Sequence, residues 1–184
     1  THGQFGSIYA SATLCSSLLL IWVGKKIDDV NIFKFAFLVT ILLSFACFFF
    51  SRVSSVLLLF IAIFLMRFSG QGMMSHTAST TISRYFTKTR GRALSISWFG
   101  LSSAEFIMPV LMVYLLTIID WQNLWLIFSI SVLIILPIVS FLLIKNLNLD
   151  SREANDENIK HVEIKQWRRR DVLKDYRFYI ISSN

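Results

Sequence analysis

Cysteine and histidine are scarce in this chain, and so are the constellations that make an enzyme. The two cysteines, Cys15 and Cys47, fall in separate apolar stretches. They give no disulfide framework of the kind that staples small secreted domains, and both read as small apolar fillers. The three histidines, His2, His76 and His161, show no metal-ligand spacing. No nucleophile–base arrangement and no glycine-rich phosphate loop closing on lysine is present. The sequence therefore argues against an enzyme and against a built-in nucleotide-driven pump, and it calls for no cofactor and no metal. Nor does it open on a charged region followed by a cleavage site, so no signal peptide is visible.

What fills the sequence instead is apolar side chain. Of 184 residues 55% are hydrophobic and 17 are Phe, and the mean hydropathy is +0.62. The apolar residues come in runs rather than in one-sided helical stripes. A bilayer span needs roughly 20 such residues. Five stretches reach or approach that length: 5–24, 35–51, 54–83, 93–119 and 121–144. The third is interrupted only by Arg67, the fourth only by Glu105, and the fifth carries no charge. Backbone groups in lipid have no water to bond, so a span is a helix or part of a closed barrel. Barrel strands alternate apolar and polar residues over roughly 10 positions; these runs are continuous and longer. The expected fold is all-α, a polytopic helical membrane protein.

The net charge of +7 would suit a nucleic-acid binder, but its placement argues otherwise. Lys25, Lys26 and Lys34 lie in the first connection. Arg84, Lys88, Arg90 and Arg92 lie in the third, and nine more cations follow the fifth stretch. Arg52 stands alone on the other side. That asymmetry is the positive-inside pattern. It predicts a multi-pass protein of the cytoplasmic membrane, its start outside and its tail in the cytoplasm, with lipid rather than nucleic acid as its surroundings. The domain reading is a bundle over 1–145, a polar cytoplasmic linker over 146–170, and the opening of a further span over 171–184. The chain is accordingly expected to be an internal piece of a longer protein.

Two charges stand deep in the membrane. Arg67 is 13 residues from Ser54, about 20 Å along a helix, too deep for easy snorkelling. Glu105 is 14 residues before Ile119, about 21 Å from the same side. A charge at such depth is costly and marks a pathway or a partner. The matching depth predicts an Arg67–Glu105 pair, or a shared cavity, with Gln71 one turn beyond Arg67 on the same face. His76, nine residues from Arg67, is expected on roughly the opposite face as a packing residue. Small residues in the third and fourth spans predict that these two line the pathway. The Phe-rich second span is expected to face lipid over much of its surface.

Taken together the motifs resemble the major facilitator superfamily. Gly24-Lys-Lys-Ile-Asp28 with Lys34 is similar to that family's first cytoplasmic loop, although Asp29, Asn31, Ile32 and Phe33 depart from it. Arg67-Phe-Ser-Gly-Gln71-Gly72 resembles its Arg…Gln/Gly motif. Arg84 through Leu94 looks like the R-G-R-A-L signature of the monocarboxylate and organic-anion branches, and Glu105 with Pro109 resembles a G-E-x-x-x-P motif. The resemblance implies helices two to six of twelve, the central loop and the start of the seventh, with the remaining helices elsewhere in the parent chain. It implies alternating access about a midplane site. Arg67, Gln71 and Glu105 would be the substrate or proton pathway, and Gly24, Asp28 and Lys34 the gating loop. A competing role for Asp28 and Asp29 is to cap the second helix. The implied function is secondary transport of a small solute, an organic anion by its branch; the alternative is a membrane sensor or scaffold that kept the fold.

Overall fold

The computed structural model describes residues 2–28, 30–86 and 89–147. The linker expected over 146–170 lies, beyond Leu147, outside the described residues, as does the span expected to open at Asp171.

Among the described residues the regular structure is helical throughout. Helix α1 (His2–Val23) runs into a 3-10 turn, Gly24–Asp28, and α2 spans Ile32–Ser51. The third crossing is composite: α3 (Val56–Met66), a π-helix (Arg67–Met74) and α4 (Ser75–Tyr85) follow one another without a break. Helices α5 (Arg90–Leu116) and α6 (Trp121–Leu147) complete the bundle. Five helices, counting 56–85 as one, are long and apolar enough to cross a membrane. They coincide with the five apolar runs of the sequence.

Capping fixes where two of the crossings begin. The Asn31 side chain accepts from the backbone N–H of Phe33 at 3.0 Å and so caps α2. That assigns to Asn31 the role held open for Asp28 and Asp29. Ser55 caps α3 by accepting from the N–H of Leu58 at 3.3 Å. Each such cap satisfies one of the donors that a helix start leaves unpaired.

Contacts at the helix ends show the crossings alternating in direction. At one end Phe33 of α2 stacks on Tyr85 of α4, with ring centroids 6.5 Å apart. At the other end Phe50 of α2 meets Trp121 at 6.2 Å and Trp125 at 4.7 Å, both on α6. Lys25, Lys26, Lys34, Arg84, Arg90 and Arg92 all fall at the first end, which is called the basic end below.

The tightest packing is between α2 and α6. Ser44 Oγ donates to the Ser129 carbonyl at 2.9 Å, and Ser129 Oγ returns the bond to the Ser44 carbonyl at 2.8 Å. Both serines are buried. Along α2 the small side chains Thr40, Ser44, Ala46, Cys47 and Ser51 are buried, while Phe37, Phe45 and Phe48 point outward. The second span is therefore two-faced: Phe37, Phe45 and Phe48 face outward, while its buried small residues include Ser44, which bonds α6. Small residues let backbones approach where lipid supplies no hydrophobic drive. No residue of α5 is buried, and a side chain added at Gly100 would meet nothing within 4 Å.

Candidate functional site

The midpoint of the third crossing is where the helix changes type. Residues 67–74 form a π-helix, whose hydrogen bonds reach one residue further than those of an α-helix. The sequence there is Arg-Phe-Ser-Gly-Gln-Gly-Met-Met. Two glycines weaken the ordinary helix locally, and both sit against neighbours. A Cβ at Gly70 would come 3.3 Å from Leu43 Cδ1 of α2, and one at Gly72 would come 3.3 Å from both Cδ atoms of Leu20 on α1. The wide segment is thus wedged between α1 and α2.

Arg67 begins this segment. It is 11 residues past Val56, about 17 Å along the helix, in a bilayer whose hydrocarbon is about 30 Å thick. Its guanidinium carbon lies over the Tyr9 ring at 4.4 Å from the centroid. Arg67 Nη2 also donates to the Tyr9 hydroxyl. The Arg67 Nε is buried and has no hydrogen-bond partner among the described residues. A cation so deep is held by an aromatic face and one neutral acceptor, and its buried Nε–H is left without a partner among the described residues. Tyr9 was not singled out in the sequence. An aromatic in an apolar run carries no mark of its own, and only the approach of α1 to the third crossing brings it to Arg67.

Glu105 is not that cation's partner. It sits exposed on α5, and no ion pair joins Arg67 to a carboxylate among the described residues. Matching depth was a sound inference from helix rise, but depth does not set azimuth, and α5 touches α4 only sparsely. Gln71 is exposed while Arg67 is half-buried, and no hydrogen bond joins the two. The three residues expected to form one pathway are therefore not joined to one another by a hydrogen bond or an ion pair.

The basic end carries a second set of polar contacts. His76 Nε2 donates to the Gly24 carbonyl at 3.0 Å, and Arg84 Nη2 donates to the Ile27 carbonyl at 3.1 Å. Both carbonyls belong to the turn that ends α1, where a helix leaves its acceptors unpaired. A cation or ring N–H there also suits the negative end of the helix dipole. Gly24 is buried against the His76 ring: a Cβ on it would lie 3.4 Å from two ring atoms. Lys34 is exposed in the first turn of α2, and Asp28 closes the 3-10 turn with its side chain outside the described set.

His76 thus reaches the same neighbour as Arg67, not the opposite face. Nine α-helical residues turn through about 900°, which is half a turn off register. The π-helix absorbs roughly one residue, so eight effective steps leave His76 only about 80° from Arg67. Hydrophobic periodicity cannot reveal an inserted residue, which is why the sequence misplaced it.

Five membrane-length helices, the third carrying a guanidinium midway along it, define a multi-pass helical membrane protein. The chain belongs to the Major Facilitator Superfamily, whose family model matches residues 1–183. No curated protein and no solved structure matches it. Membership identifies a membrane transport protein, of a family of transporters rather than enzymes, in contact with the lipid bilayer and acting on small molecules.

Proposed function

We propose that the protein is a secondary transporter of small organic anions working by alternating access, with Arg67 as the anion-binding cation. The observation that carries this reading is the state of the Arg67 guanidinium. It stands at mid-depth on Tyr9, without a carboxylate among the described residues and with its Nε unpartnered. A cation kept in the membrane without a fixed counter-ion is costly, and a carboxylate brought by a solute would relieve that cost through charge-assisted bonds. An open cleft lined by Gln4, Phe5, Ser7, Ile8, Val56 and Leu59 lies at the end away from the basic loops. Its Phe5 stacks on Tyr9 at 6.5 Å, so the cleft supports an approach toward Arg67 from that side.

In this reading the basic end faces the cytoplasm, because cations are retained there during insertion. Gly24, Asp28 and Lys34 belong to the cytoplasmic gate, and Gln71 and Glu105 serve the pathway at other stages of the cycle. The test is uptake of a panel of labelled mono- and dicarboxylates into cells expressing the full-length protein. Arg67→Ala should abolish uptake at unchanged membrane abundance, and Arg67→Lys should retain part of it. Uptake that survives Arg67→Ala at the parental rate removes Arg67 from the site. Uptake of neutral or cationic solutes alone removes the anion.

A further inference from the structure

The π-helix sits between two grips on one neighbour. At its first residue, Arg67 holds Tyr9 of α1. Beyond it, His76 and Arg84 hold the Gly24 and Ile27 carbonyls at the end of that helix. An α-helical third crossing would not satisfy both sets. With the extra residue restored to ordinary turns, His76 would rotate by about 100° relative to Arg67, and its ring would leave the Gly24 carbonyl. π-helices are rare and appear mostly as single-turn bulges inside α-helices. One that runs over eight residues, Arg67–Met74, is therefore held by what lies at its ends.

We infer that the 67–74 segment is a register switch that couples the Arg67–Tyr9 contact to the clasp at the basic end. While Tyr9 holds Arg67, the crossing stays wide and His76 and Arg84 remain seated on the end of α1. When Arg67 leaves Tyr9, the segment relaxes toward α-helix, residues 75–85 rotate, and the clasp opens. Gly70 and Gly72 make the change feasible, because neither carries a side chain to drag past Leu43 or Leu20. The final step, in which a bound anion draws Arg67 off Tyr9 and so unlocks the basic end, rests on the reading of Arg67 as the anion site. The coupling itself does not.

The test therefore uses no substrate. In the full-length protein in membrane vesicles, with Cys15→Ala and Cys47→Ala, the pair Gly24→Cys and His76→Cys reports the clasp through its rate of reaction with a short bifunctional thiol reagent. Arg84 still holds the Ile27 carbonyl in this background. The pair should cross-link readily with Arg67 in place and at least several-fold more slowly with Arg67→Met. Deleting Gly70 in the Arg67→Met protein removes the extra residue and should restore the rapid rate. An unchanged rate in Arg67→Met overturns the coupling, and so does a deletion that leaves the rate low. Should Arg67→Met fail to accumulate, Tyr9→Ala, which removes both the hydroxyl and the ring that hold Arg67, makes the same comparison with the same two outcomes. Failure of anion uptake to depend on Arg67 would leave the cross-linking result standing, so the two readings fail separately.

Discussion

Tyr9 meets Arg67 in two ways at once: its ring lies 4.4 Å from the guanidinium carbon and its hydroxyl accepts from Nη2. The two contacts separate by substitution. A hydrogen bond to a charged group contributes about 1.5–3 kcal/mol, and a cation over an aromatic face contributes about 0.5–2 kcal/mol depending on desolvation. Tyr9→Phe removes the first and keeps the second, whereas Tyr9→Ala removes both. Thermal unfolding in detergent should rank them parent, Phe, Ala. In a double-mutant cycle, Arg67→Ala should cost less in the Tyr9→Ala background than alone. Additive costs would show that the two side chains do not act together.

The serine pair between α2 and α6 gives a second cycle. Ser44 and Ser129 exchange hydroxyl-to-carbonyl bonds in a buried seam. Interhelical polar contacts in membranes couple by about 0.6 kcal/mol on average. Ser44→Ala and Ser129→Ala should each destabilise modestly, with a coupling of that order in the double variant. Replacing Ser44 with Leu should cost far more, because the seam depends on close backbone approach. A Leu variant as stable as the parent would show that α2 and α6 do not pack through this face.

Much of the architecture was legible because lipid constrains it so strongly. Run length gave the five crossings, and the scatter of Lys and Arg gave their alternation. Helix rise placed Arg67 at mid-depth. What the sequence hid is rotational. Whether a side chain at a known depth points to α1 or to α5 depends on helix azimuth, and a single absorbed residue in the 67–74 segment moved His76 from one side to the other. The partner of Arg67 was missed for the same reason, since depth alone made Glu105 as eligible as Tyr9. The capping of α2 passed to Asn31 because the chain spends Gly24–Asp28 on a 3-10 turn before the helix begins.

Glu105 lies exposed on a helix with no buried residue, away from the Arg67–Tyr9 contact. Independent sites add, and coupled ones do not. Arg67→Ala and Glu105→Gln should therefore have additive effects on thermal stability, within about 0.5 kcal/mol. A locked ion pair would instead make the second substitution nearly free, or even favourable, once the first had left a lone charge behind. Measured non-additivity beyond that margin would restore the pair.

The orientation of the bundle follows from where its cations stand. Lys25, Lys26, Lys34, Arg84, Arg90 and Arg92 share one end of the described bundle, and Arg52 is alone at the other. Lysine and arginine close to span ends resist translocation, while acidic residues contribute little to that bias, so the basic end should be cytoplasmic. Arg90 and Ser54 are both exposed, one at each end, and both suit single-cysteine reporters in a background lacking Cys15 and Cys47. An impermeant thiol reagent added to intact cells should label Ser54→Cys at once and Arg90→Cys only after permeabilisation. Arg90→Cys removes only one of the many cations that the sequence places on that side, too few to reverse the bundle by the same rule. Labelling in the opposite order would turn the protein over in the membrane. The cleft beside Phe5 would then open to the cytoplasm, and the carbonyl clasp of His76 and Arg84 would become an external gate.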